Sequence, residues 1–254
     1  MQEKWRLNGF YSPAQLKRWG EAVPRRYSCR QMGDKPTIGQ WTALSFMASR
    51  CCLPGVRLVL AECDPSFFQP PLMPLPRITG VRRFAAIIID ESVPLCRLHA
   101  GISGEAFVLE AAANGVATVW VMATFRRKEC PIALKEGEKL LGVIALGQPA
   151  NGWPEKIDRR RKAIEKICLG DFKAWPQWAQ DAAQAVWAAP SAVNSQPWQL
   201  EYTLDSLVLS GSNRSQIDLG IAIAHMEASI PHPHVWTLGQ GEKEIARVRL
   251  VRMK

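Results

Sequence analysis

The chain is predicted to be an α/β (α+β) protein built as two tandem halves, each a mixed sheet flanked by helices. Three observations predict it. Continuous apolar runs, residues 84–89 and 116–124 among them, alternate with stretches of helical periodicity. The same order of elements recurs after residue 155. Finally, 254 residues, 47% of them hydrophobic, can bury a full core without disulfides or a metal.

In the first half, residues 1–154, a helix is expected over 15–23 after Ser12-Pro13. A second spans 37–51, with Ile38, Trp41, Leu44, Ala48 and Cys51 near helical spacing. Residues 56–61 and 84–89 read as strands. Between them Pro65, Pro70, Pro71, Pro74 and Pro76 interrupt regular structure. That loop, with Phe67 and Phe68, either lies over a ligand or is a stiff connector. A helix over 104–114 ends at Gly115, and strands follow over 116–124 and 140–146. The Gly147-Gln148-Pro149 turn and Asn151-Gly152 close this half.

The second half, residues 155–254, opens with a helix over 159–168. A long helix with Trp175, Trp178 and Trp187 comes next, then a proline turn and strands over 198–204 and 207–210. A helix over 217–230 and strands over 235–238 and 245–251 complete it. Arg26 lies 28 positions before Pro54, and Arg161 lies 29 before Pro190. Two copies of this length point to duplication and fusion rather than to a solenoid.

The formal charge of +9 suits anions ranging from phosphorylated cofactors to nucleic acids. Two clusters concentrate it, Arg25-Arg26-x-x-x-Arg30 and Arg159-Arg160-Arg161-Lys162, whereas Arg247 and Arg249 alternate with Val248 and Leu250 as on a solvated strand face. Neither cluster is interleaved with aromatic residues, and no nucleic-acid-binding motif is present, so no nucleic-acid partner is expected. The polar N-terminus and the lack of any bilayer-spanning segment lead us to expect a cytoplasmic protein with no membrane partner. Seven cysteines, an odd number without a C-x-x-C pair, read as reduced thiols. His232 and His234 alternate with prolines and belong to no closed ligand set, so no metal is expected.

The most informative segment runs from Ala189 to Trp198. Pro190 and Pro197 fix their own backbone angles and push Ala189 and Gln196 away from helix. Ser191, Asn194 and Gln196 offer both donors and acceptors. Such a turn suits a flat heterocycle with mixed hydrogen-bonding edges; the alternative is an ordinary polar loop leading into a strand.

Pro190, Ser191, Asn194, Gln196, Pro197 and Trp198 reproduce a Pro-Ser-x-x-Asn-x-Gln-Pro-Trp pattern, and the segment thereby resembles the signature of the nitroreductase-like flavin oxidoreductases. Upstream, Arg26-Tyr27-Ser28-Cys29-Arg30 resembles that family's Arg-x-Ser-x-Arg/Lys element. Over most of residues 20–240 the chain is similar to the single-chain branch, the TM nitroreductases, in which one polypeptide supplies both halves of what is elsewhere a homodimer.

The resemblance implies a nitroreductase-like fold, two halves forming a pseudo-dimer, and a flavin in the interface between them. It places the FMN phosphate and the pyrimidine side of the ring on Arg26, Ser28 and Arg30, with Arg25 a solvated neighbour. Arg161 and Lys162 would complete the phosphate site, because Arg161-Lys162-Ala163-Ile164-Glu165 resembles the family's Arg-Lys-Pro-Leu-Glu run. A positive run at a helix start opposes the macrodipole, which a bound anion would relieve; the other reading is a solvated helix start. Thr118, Trp120, Val121 and Met122 would bring backbone groups to flavin N5, with Met122 and Ala123 replacing glycines and narrowing the cavity. Pro190, Ser191, Asn194 and Gln196 would contact the ring. Asp218, in Asp218-Leu219-Gly220-Ile221-Ala222, resembles the family's Asp-x-Gly-x-Ala helix and is expected to cap and pack.

The first half lacks the Ser/Asn/Gln turn, since Leu53-Pro54-Gly55-Val56-Arg57 runs straight into a strand, and the second half lacks the Arg-x-Ser-x-Arg element. One flavin per chain follows, with a monomer sufficient. The implied activity takes a hydride from NADH or NADPH and passes electrons through FMN to a small-molecule acceptor such as a quinone or nitroaromatic. Because the cofactor carries that chemistry, no catalytic side chain is assigned. Two other readings stay open: a flavin-binding protein without turnover, and a basic nucleic-acid-binding protein.

Overall fold

The computed structural model describes residues 11–69, 78–239 and 244–251. Its contacts divide the chain into two compact units: a central unit, Arg25–Asp158, and a split unit made of Arg159–Lys254 with the segment up to Pro24. Helix α1 (Pro13–Ala22) therefore clusters with C-terminal residues rather than with those that follow it. Ser12 and Gln15 close a capping box at its start, with Pro13 in the first turn. Gly20 lies so close to the Ala228 carbonyl that a Cβ there would clash, and Arg159 donates to the carbonyls of Val23 (3.1 Å) and Pro24 (2.8 Å).

In the central unit, a Thr37–Gln40 capping box starts α2 (Ile38–Ala48). Strands β1 (Val56–Glu62), β2 (Arg83–Asp90), β3 (Ala117–Val121) and β4 (Glu138–Gly147) pair in the order β1-β2-β4-β3, all antiparallel. A parallel bridge joins Ser28 to Thr118 of β3. The apolar run Phe84–Ile89 is buried throughout because both faces of β2 are covered.

Helix α3 (Cys96–Ala113) begins two turns before residue 104, where the sequence predicts it. Its N-cap, Leu95, is left-handed and makes no side-chain cap, so no local start signal exists. Phe67 and Phe68 sit in a 3-10 turn and belong to the core rather than to a ligand cover: Phe67 stacks on Phe84 at 5.0 Å, and both rings are buried. Pro70, Pro71, Pro74 and Pro76 fall outside the described residues.

The split unit contains α4 (Ile164–Ile167), β5 (Cys168–Leu169), α5 (Gln177–Ala188), β6 (Trp198–Thr203), β7 (Ser206–Gly211), α6 (Gln216–Glu227), β8 (His234–Leu238) and β9 (Glu244–Leu250). The sheet order is β5-β6-β7-β9-β8, with β5 parallel to β6 and the rest antiparallel. Hence β6-β7-β9-β8 repeats the order β1-β2-β4-β3. Each set carries a register shift on its closing strand, at Leu141 opposite Ile87/Ile88 and at Ile245 opposite Leu209/Ser210.

The helix expected over 159–168 is one turn only, since residues 159–163 run without helical structure. The macrodipole argument for the basic run therefore fails. All seven cysteines are free thiols. Among the described residues, no helix is long and apolar enough to cross a membrane.

Candidate functional site

The turn and the basic run of the split unit are one hydrogen-bonded assembly. Arg161 Nη1 donates to Asn194 Oδ1, and Asn194 Nδ2 donates to the Arg160 carbonyl at 2.5 Å. Gln196 is buried; its Oε1 accepts from Lys162 N at 2.9 Å, and Lys162 Nζ reaches the Gln196 carbonyl at 3.0 Å. The Ser191 hydroxyl accepts from Gln196 N at 2.9 Å, and Asp218 Oδ1 accepts from Ala192 N at 3.0 Å. Burial raises the Asp218 pKa, and the bond from Ala192 opposes that rise. Asp218 thus ties the turn to α6 instead of capping the helix. Trp187, at the end of α5, donates its indole N–H to the Lys162 carbonyl and accepts from Arg161 at its own carbonyl. Pro190 is buried behind the turn.

This assembly holds an unusual backbone. Val193, Asn194 and Gln196 have φ of 47°, 57° and 46°. Asparagine tolerates the left-handed region, but a β-branched residue there is strained. Val193 is also 91% exposed, so no packing requires it. Strain of this kind gathers where a ligand is held. Val193→Gly is accordingly expected to gain about 0.5–1 kcal/mol, the left-handed penalty less the glycine's extra unfolded-state entropy. A urea midpoint that is unchanged or lower would show that the turn stores no such strain.

In the central unit, Ser28 and Arg30 line an open groove of about 470 Å³, together with Tyr27, Gln31, Asn151 and Gly152. The segment runs beside β3 through the Ser28–Thr118 bridge and the bond from Cys29 N to the Thr118 carbonyl at 2.9 Å. Tyr27 meets Trp153 edge-on at 5.5 Å. A hydroxyl, a guanidinium and an amide around one concavity suit an anionic or heterocyclic ligand.

Arg26 does not join Ser28 and Arg30 there. It is buried, with Nε 3.6 Å from Glu105 Oε1. Burial lowers its pKa, and the Glu105 charge opposes the shift. Glu105, on α3 and fully buried, also accepts from the Trp120 indole at 2.7 Å. Trp120 is seated on Gly104, where any Cβ would fall inside the ring's van der Waals envelope. One residue on, Val121 is buried. The Met122 sulfur rests against Gly142, and the Met122 carbonyl accepts from Arg127 Nη2 at 3.0 Å. Arg127 also donates to the carbonyls of Leu140 and Leu141, so one guanidinium gathers the end of β3 and the bulge of β4.

The split unit has a counterpart. Trp236 stands opposite Val248, three residues past the bulge at Ile245, just as Trp120 stands opposite Ile144, three past Leu141. Its indole also donates to a buried helix glutamate, Glu227, at 2.5 Å. There the place of Arg26 is taken by His234, whose Nε2 is 2.6 Å from the same Glu227 oxygen while Nδ1 donates to the Pro231 carbonyl at 3.0 Å. His234 therefore opens β8 and is not a loop ligand. Among the described residues, no group of three or more His, Cys, Asp or Glu side chains could hold a metal ion.

Sequence reasoning missed Glu105, Glu227 and Arg127. A signal existed for the first: a carboxylate in the otherwise apolar run Gly104-Glu105-Ala106-Phe107 must be paired if the helix is buried.

Two sheets that share a four-strand antiparallel order, flanked by buried helices, define an α+β protein of the nitroreductase fold. The family described as "Putative TM nitroreductase" matches residues 21–230, and the chain belongs to it. Among solved structures, it is similar to a nitroreductase from Thermotoga maritima, with 19% identity and a TM-score of 0.64 over 91% of this chain and 93% of that one. That likeness shows the fold. A Desulfovibrio desulfuricans nitroreductase in complex with FMN matches at 16% identity and a TM-score of 0.47, over 62% of this chain and 98% of that one. Among curated proteins, none matches the chain.

Proposed function

We propose that the protein is an FMN-dependent oxidoreductase that takes a hydride from NADH or NADPH and passes electrons to a quinone, nitroaromatic or similar small acceptor. The observation that carries this reading is the turn at Ser191–Gln196. It holds three non-glycine residues left-handed while clamping Arg160–Lys162 through Asn194 and Gln196. Membership of the nitroreductase family supports it.

The residues present fit the group. In the central unit, Ser28 and Arg30 on the groove would supply donors for a phosphate dianion, each worth about 1.5–3 kcal/mol when aligned, and in the split unit Arg161 and Lys162 carry donors of the same kind. Ser191 and the backbone of the strained turn suit the polar edge of a ring, and in the central unit the end of β3 at Trp120–Met122 is held by Glu105 and Arg127. FMN held there would supply the hydride-accepting and electron-transfer chemistry. The protein's part is to bind, orient and exclude water, so no acid–base side chain is required. One FMN per polypeptide is expected, with a monomer sufficient, because the Arg/Ser element and the turn each occur once.

The purified protein should be yellow, or become so with added FMN, saturate at one flavin per chain, and consume NADH or NADPH in the presence of a quinone or nitroaromatic. A protein that fails to bind FMN by calorimetry overturns the reading. Binding without NAD(P)H consumption across a broad acceptor panel would leave a flavin-binding protein instead.

A further inference from the structure

Of the three residues in the Arg26-x-Ser28-x-Arg30 element, Ser28 and Arg30 line the groove, whereas Arg26 is buried beside Glu105 as an ion pair at 3.6 Å, Nε to Oε1, without a hydrogen bond at Nε. Both side chains are almost fully buried, at 4% and 0% exposure. A buried pair is weak evidence for net stability, but it fixes geometry, because neither charge can be left alone. Its position is what gives it a use. One end lies two residues before Ser28, and the other, through Glu105 Oε2, holds the Trp120 indole, two residues before Met122. Between these ends Ser28 bridges to Thr118, so the two segments are coupled by backbone as well as by side chains.

We propose that Arg26 is a positioning residue: with Glu105 and Trp120 it forms a buried ionic brace that sets both the path of Ser28–Arg30 and the end of β3, and it does not contact the cofactor phosphate. The proposal rests on the FMN reading above. It assigns the phosphate to Arg30 and Ser28, and it makes Glu105, a residue with no access to ligand, as important to flavin binding as Arg26.

Riboflavin lacks the phosphate and therefore separates the two roles. FMN and riboflavin affinities are to be measured by calorimetry for the wild type, Arg26→Met, Arg26→Lys, Glu105→Gln, the Arg26→Met/Glu105→Gln pair, and Arg30→Ala. Arg30→Ala should weaken FMN about tenfold or more and riboflavin by a clearly smaller factor, the difference being the phosphate's share. Arg26→Met and Glu105→Gln should each weaken both flavins by the same factor, about tenfold. The double variant should lose no more than the worse single, since the two residues act as one unit. At saturating FMN the visible flavin band should shift in both single variants, and Arg26→Lys should restore it.

If Arg26→Met weakens FMN alone, Arg26 is a phosphate ligand and the brace is overturned. Should Arg26→Met fail to fold, the nearly isosteric Glu105→Gln decides: unchanged binding of both flavins overturns the proposal, and equal loss supports it. A wild type that binds neither flavin overturns the functional reading and the brace together, an outcome distinct from loss of FMN alone in Arg26→Met.

Discussion

Glu227→Ala is expected to destabilise the split unit by about 3–5 kcal/mol, because it strips the partner from a buried cation and from a buried indole at once. His234 Nδ1 already donates to the Pro231 carbonyl, so Nε2 can donate to Glu227 only if the ring is protonated. Burial acts to lower the His234 pKa, but the hydrogen bond and charge of Glu227, with the Pro231 carbonyl, raise it on balance. A histidine with a raised folded-state pKa contributes stability that is complete below its unfolded value, about 6.5, and is lost as pH rises through the folded value. Urea midpoints should therefore fall as pH rises above about 6.5 in the wild type, and Glu227→Ala should remove that slope.

His232, whose pKa is lowered by burial and by His234, adds an opposite slope on the acid side. Measurement in a His232→Asn background isolates His234. A wild-type midpoint indifferent to pH between 6 and 9 would mean that His234 is not charged in the folded state.

Gly80→Ala should cost about 2–5 kcal/mol, and the damage should reach the groove. Gly80 has φ of 73°, where a side chain is strained. An added Cβ would also fall inside the contact radius of the Met32 carbonyl oxygen, and backbone cannot yield as a flexible side chain can. Relief would separate two segments joined by Met32 N to Thr79 O and Thr79 N to Arg30 O, both at 2.9 Å. Since Arg30 lines the groove, flavin affinity should fall along with the urea midpoint. A variant with wild-type midpoint and wild-type affinity would show that the close approach of residues 32 and 80 is not held in solution.

Elements whose cause is local were legible in the sequence. Ser12 and Thr37 announce their helices through capping boxes, and the apolar run at residues 84–89 announces a strand covered on both faces. What escaped has its cause far along the chain. Residues 159–163 have the composition of a helix start, yet Lys162 N is taken by Gln196 and the Arg160 carbonyl by Asn194. The first two turns of α3 carry no cap and are helical because tertiary packing buries them. Phe67 and Phe68, in a proline-rich loop, could be core or cover by composition, and only the ring of Phe84 decides. The turn at residues 190–197 was legible as a pattern, but its internal clamp on the basic run was not.

The placement of α1 bears on how the chain folds during synthesis. The central unit is continuous, so once residue 158 has cleared the ribosome every strand of its sheet is available. The split unit needs α1, which is made before any of the central unit, and β6 to β9, which are made after all of it. Domains generally fold as units in the order in which they emerge. Helix α1, with Leu16 and Trp19 destined for burial, must therefore wait without its partners while the whole central unit is translated. The central unit should acquire its structure co-translationally, and the split unit only after the last strand is released.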